Sequence, residues 1–135
     1  MVKYLIAYGV TAAAFLIVDF VWLTRIAKTF YADRLGGLLR DRPKMGAAAI
    51  FYAVYVIGIV VFAVAPGLRD GSALTTLTYG ALFGFFAYAT YDMTNYATLR
   101  NWPFVVSIVD MVWGSFITAI AASAGYFGTR LIAPF

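Results

Sequence analysis

The sequence predicts an all-α integral membrane four-helix bundle, on three observations. Four apolar runs each reach the roughly 20 residues that cross a bilayer. The chain is 64% hydrophobic and only 12% charged, and its basic residues gather between the runs rather than within them. Such a composition excludes a disordered chain and is foreign to an ordinary soluble domain. The 135 residues read as a single transmembrane domain.

The first run, residues 3–24, has some likeness to a secretory signal, with Lys3 ahead of an apolar stretch containing Ala12-Ala13-Ala14. Its apolar length is too great, and aromatic residues and Asp19 stand where a cleavage region belongs, so it reads as a retained helix. The connection 25–45 is too polar to span, carrying Arg25, Lys28, Arg34, Arg40, Arg42 and Lys44. Phe30, Tyr31, Leu35, Leu38 and Leu39 between those charges fit a short helix lying along the cytoplasmic interface and broken at Gly36-Gly37; a solvated basic loop that only fixes topology fits equally well. The second run, 46–65, follows Pro43 and is expected to stop at Pro66-Gly67. The third covers 72–99. The fourth, 103–128, opens at Asn101-Trp102-Pro103, with proline near the first helical position.

Seven of the ten Lys and Arg lie in the first and third connections, against Lys3, Arg69 and Arg130 elsewhere. The positive-inside rule therefore makes those connections cytoplasmic and leaves both termini on the outer, periplasmic side. A nucleic-acid partner is excluded, because a basic stripe needs an exposed basic face. Without Cys or His, thiolate and imidazole chemistry, haem and iron–sulfur ligation and the usual zinc sites are also excluded. Carboxylate, hydroxyl, amide, Lys and Arg chemistry remains.

Three aspartates interrupt the apolar runs: Asp19, Asp92 and Asp110. A carboxylate at the centre of a spanning helix costs roughly 2.5–3.5 kcal/mol on insertion scales, so three in a small chain call for one explanation. Asp19 precedes Arg25, Asp92 precedes Arg100 and Asp110 follows Pro103 by six to eight residues, which at 1.5 Å per residue puts all three roughly 9–12 Å inside the cytoplasmic boundary. Two occupy nearly the same hexapeptide, Ile17-Val18-Asp19-Phe20-Val21-Trp22 and Ile108-Val109-Asp110-Met111-Val112-Trp113. The first and fourth helices run in opposite directions, so duplication of a two-helix hairpin would not produce this match.

Helical spacing indicates facing. Gly80, Gly84, Tyr88, Asp92 and Asn95 share one stripe of the third helix, and Asp110, Gly114, Thr118, Ala122 and Gly125 share one of the fourth. Small residues allow close approach, so both aspartates are expected to face the interior; whether the stripes serve internal packing or dimerisation stays open. Thr94, Asn95, Ser107, Tyr91 and Tyr96 fall in the same slice, and Trp102 reads as a boundary aromatic.

Carboxylates held close together cannot all ionise cheaply, so Asp19, Asp92 and Asp110 are candidates for proton handling and for general acid/base catalysis. The same oxygens suit Mg²⁺ or Mn²⁺. The expected ligand-binding set is Asp19, Trp22, Tyr91, Asp92, Asn95, Asp110 and Trp113. The bland alternative is that the aspartates only hydrogen-bond across helices, to Trp, Asn or Tyr.

Three segments carry a family resemblance: Asp19-Phe20-Val21-Trp22-Leu23, the run Tyr91-Asp92-Met93-Thr94-Asn95-Tyr96-Ala97-Thr98-Leu99, and Asp110-Met111-Val112-Trp113-Gly114. Over nearly its whole length the chain resembles a family of small bacterial four-span membrane proteins, the domain of unknown function 2177. The resemblance implies a multi-pass protein of a bacterial inner membrane with these polar segments as hallmark; it implies no reaction, substrate or cofactor.

Three roles fit these residues. The first is a cytoplasmic-leaflet pocket that binds or modifies a lipid-soluble or cationic small molecule, in contact with membrane lipid. The second is a proton-coupled transporter acting as a homodimer. The third is a structural subunit of a membrane complex, in which the polar layer sets helix register.

Overall fold

In a computed structural model, residues 1–40 and 42–133 are described, and the regular structure among them is entirely helical. Helix α1 (Val2–Trp22) passes through a π-helical turn, Leu23–Ala27, into α2 (Lys28–Leu35) and a 3₁₀ turn at Gly36–Leu38. Helix α3 (Met45–Ile59) passes through a second π-helical turn, Val60–Val64, into α4 (Ala65–Asp70). Helices α5 (Ala73–Thr98) and α6 (Phe104–Ile132) complete the fold.

Among the described residues, three continuous helical stretches are long and apolar enough to cross a membrane: Val2–Leu38, Met45–Asp70 and Phe104–Ile132. With 26 residues, α5 is as long as the second of these, but Tyr91, Asp92, Thr94, Asn95 and Thr98 make its last turns more polar. The outward faces of the bundle are apolar: Phe20, Ile50, Phe62, Phe86 and Val112 are exposed. Water would penalise such a surface; hydrocarbon does not. The protein is thus a multi-pass helical membrane protein.

Close approach to α6 organises the bundle. A Cβ at Gly80 would meet the Ala119 Cα at 3.1 Å and the Ala122 Cβ at 3.1 Å; one at Gly84 would strike the Gly114 carbonyl and Thr118, and one at Gly114 the Tyr88 ring. The α5 stripe therefore faces Gly114, Thr118 and Ala122 of the α6 stripe within one chain, while Gly125, expected on the same stripe, does not join them. On another side of α6, Gly125 and Gly128 receive Thr11 and Val10 of α1. Phe15, Ile59, Val64 and Ile117 fill the apolar core between these helices.

The expected stop at Pro66-Gly67 does not occur: the helix continues to Asp70. A proline inside a helix lacks an N–H and crowds the preceding turn, and here the wide turn Val60–Val64 precedes it and accommodates it. The chain reverses instead at Gly71, in the left-handed region at φ 64°, after which the Ser72 hydroxyl accepts from the Thr75 amide at 3.2 Å and caps α5. The Thr76 hydroxyl then donates to the Ala63 carbonyl at 2.9 Å, joining α5 to the second π turn. The break expected at Gly36-Gly37 is present, with Gly36 at φ 50° ending α2.

Candidate functional site

At the end of the bundle where α1 leads into α2, the polar residues form a connected layer. Asp19, on α1, is 6% exposed and accepts from the Tyr52 hydroxyl of α3 at 2.6 Å. Asp110, on α6, accepts from the Tyr31 hydroxyl of α2 at 2.7 Å; the π turn at Leu23–Ala27 carries α2 into position for this contact. Asp92, on α5, is 0% exposed, and neither of its carboxylate oxygens meets a hydrogen-bond donor. Its close polar neighbour is the Asp110 carboxyl, which also acts electrostatically on Asp19. Two carboxylates are both acceptors, so the Asp92–Asp110 contact is favourable only with a shared proton or with a donor placed between them.

A short relay fixes α5 against α6 at this level. The Ser107 hydroxyl donates to the Asp92 carbonyl at 2.9 Å and accepts from the Trp102 indole N–H at 3.0 Å. Asn101, with φ 61°, turns the chain so that Trp102 folds inward. Trp102 is consequently only 8% exposed, and the expected boundary aromatic is a buried strut.

Two cavities open beside the layer. One, of about 740 Å³, lies between α2, the following connection and the facing ends of α5 and α6. Asp92, Asp110 and Tyr31 line it together with Leu23, Leu35 and Val106, and Lys28, Arg40 and Lys44 add positive charge. The other, of about 510 Å³, lies between α3 and α5 and is lined by Phe51, Tyr52, Tyr55, Tyr88 and Tyr91, with Asp110. Tyr91 and Asp110 belong to both.

Of the residues expected from sequence to bind a ligand, Asp92, Asp110 and Tyr91 line these cavities. Asp19, Trp22, Asn95 and Trp113 line neither. Asp19 is engaged by Tyr52, while Trp22 and Trp113 stack on each other with ring centroids 4.2 Å apart and planes 10° from parallel. The Trp113 indole N–H is buried and lies beside the Asp19 carboxylate. The three aspartates do not gather into a metal centre, since among the described residues no three potential ligands cluster so as to hold an ion. Tyr31, Tyr52 and the basic trio are the participants that spacing did not single out.

No curated protein and no solved structure matches the chain. The family model described as a predicted membrane protein, DUF2177, matches residues 4–127, nearly all of the 135, and the chain therefore belongs to that family.

Proposed function

We propose that this is a bacterial inner-membrane protein of four spans, with both termini in the periplasm, that binds a lipid-soluble molecule bearing a cationic group in the cavity at its cytoplasmic end. The observation that carries this reading is Asp92, whose two buried oxygens lack any donor beside Asp110. A buried carboxylate without hydrogen bonds is costly, and such groups persist in membrane helices chiefly where they serve a ligand, an ion or a proton path. A cationic group seated between Asp92 and Asp110 supplies the missing donors and the opposite charge in one contact. The surrounding Leu23, Leu35 and Val106 suit the apolar body of such a molecule.

A hydrogen bond to a charged group contributes about 1.5–3 kcal/mol, so loss of either carboxylate should weaken binding about ten- to a hundredfold. The test uses purified protein in detergent micelles with 4-phenylbutylammonium as a lipophilic cation whose N–H groups can donate. Asp92→Asn and Asp110→Asn are expected to lose binding by that factor while keeping the helical content and tryptophan emission of the parent. Saturable binding that is indifferent to both substitutions, or no saturable binding by the parent, overturns the reading.

A further inference from the structure

The cavity that holds Asp92 and Asp110 also holds Lys28, Arg40 and Lys44, and this mixture of charge narrows the ligand class. A simple cation would be attracted by the carboxylates and repelled by the basic trio; a simple anion would meet the reverse. A molecule with a positive and a negative group a few bonds apart satisfies both. The space of about 740 Å³ lies within the range of about 300–1,000 Å³ typical of small-molecule sites.

The adjoining cavity indicates what else the molecule carries. Helix α3 packs on α1, and its extended contact with α5 is made through the π turn Val60–Val64. Nearer the polar layer, aromatic side chains bridge the gap: Tyr55 stacks on Phe83 with centroids 5.3 Å apart and meets Tyr88 edge-on at 6.3 Å. Phe51 is 58% exposed at the mouth of this cleft. Between two helices of a membrane bundle, such a mouth opens sideways toward acyl chains, not toward water. Tyr91 and Asp110 line both the cleft and the charged cavity, which are therefore neighbours.

From this arrangement we infer that the ligand is a membrane phospholipid whose headgroup carries both an amine and a phosphate. Its amine sits at Asp92 and Asp110, its phosphate at Lys28, Arg40 and Lys44, and an acyl chain leaves through the aromatic cleft between α3 and α5. The assignment rests on the cation site proposed above and adds the phosphate contact and the lateral path. A water-soluble zwitterion would leave the cleft unused, and an anionic phospholipid without an amine would leave Asp92 unpaired.

The experiment compares phosphatidylethanolamine with phosphatidylglycerol of identical acyl chains, each fluorescently labelled on a chain, binding to the full-length protein in detergent micelles. Phosphatidylethanolamine is expected to bind at least tenfold more tightly, and Asp110→Asn to remove that preference. The double variant Lys28→Gln, Lys44→Gln changes exposed side chains, so its fold is not at risk. It should lose phosphatidylethanolamine affinity by about tenfold while binding 4-phenylbutylammonium, which has no phosphate, no more weakly than the parent. Equal binding of the two lipids, or a double variant with unchanged lipid affinity, overturns the phospholipid assignment. If 4-phenylbutylammonium still binds in a manner dependent on Asp92 and Asp110, the cation site survives that failure; if it does not, both readings fall together.

Discussion

Replacing Gly84 with alanine tests whether the spacing of α5 and α6 is set by the missing side chain. The added Cβ would run into the Gly114 carbonyl and lie 2.7 Å from the Thr118 Cβ and 2.7 Å from its hydroxyl, whereas carbon atoms rest about 3.5–4.0 Å apart. One obstacle is backbone and the other is a β-branched side chain with few rotamers, so the helices must separate. Overpacking of this kind costs about 1–3 kcal/mol. Alanine also improves helix propensity, by up to about 1 kcal/mol in a water-exposed helix, but a spanning segment that stays helical when the bundle comes apart gains this in both states. Gly9→Ala isolates that contribution, because nothing lies within 4 Å of a Cβ at Gly9. Unfolding in mixed micelles by increasing sodium dodecyl sulfate, followed by tryptophan emission, should show Gly84→Ala about 1–3 kcal/mol less stable than Gly9→Ala. Ligand affinity should fall with it, since Asp92 and Ser107 meet across the same helix pair. Equal midpoints for the two variants would refute the reasoning.

Three further outcomes are expected. Tyr52→Phe takes the hydroxyl from Asp19, leaving a buried carboxylate short of a donor, and should cost about 1–3 kcal/mol; Tyr8→Phe, whose hydroxyl bonds the Ala53 carbonyl at an exposed site, should cost less in the same titration. Ser107→Ala orphans the buried Trp102 indole N–H and removes the second hydrogen bond to the Asp92 carbonyl, so stability should fall by about 1–3 kcal/mol and Trp102 emission should shift; an unchanged spectrum and midpoint would count against the relay. An alkaline phosphatase fused after Phe135 should be active, and a green fluorescent protein there dark, if the C-terminus is periplasmic; the opposite pattern would invert the topology.

Much of the helix layout was legible because apolar length and small-residue spacing are local signals. Gly80, Gly84 and Gly114 announced a close helix pair, and the pair is there. Pro66 misled because a proline ordinarily breaks a helix, and the widened turn that absorbs it has no signature in residue types. The same cause hid Tyr31: the π turn at Leu23–Ala27 brings α2 over Asp110, and no periodicity computed along a uniform helix would aim that hydroxyl there. Tyr52 was more accessible, since a tyrosine within an apolar span ordinarily seeks a polar partner for its hydroxyl. The match of Asp-Phe-Val-Trp with Asp-Met-Val-Trp singled out Trp22 and Trp113 but not their mutual stacking, which depends on how α1 and α6 pack. That Asp92, and not Asp19, is left without a donor depends on which tyrosines reach the layer, a property of the assembled bundle.

The two widened turns bear on which changes of chain length the protein tolerates. A π turn holds one residue more than the α-helical path needs, so deleting a single position within Leu23–Ala27 restores an ordinary helix and leaves the faces on either side where they were; within Val60–Val64 the same deletion also removes the wide turn that accommodates Pro66. The same deletion in the middle of α6 rotates everything beyond it by about 100° and carries Gly125 and Gly128 away from α1. A single-residue deletion should therefore be survivable in the first widened turn, costlier in the second and ruinous in the central helix.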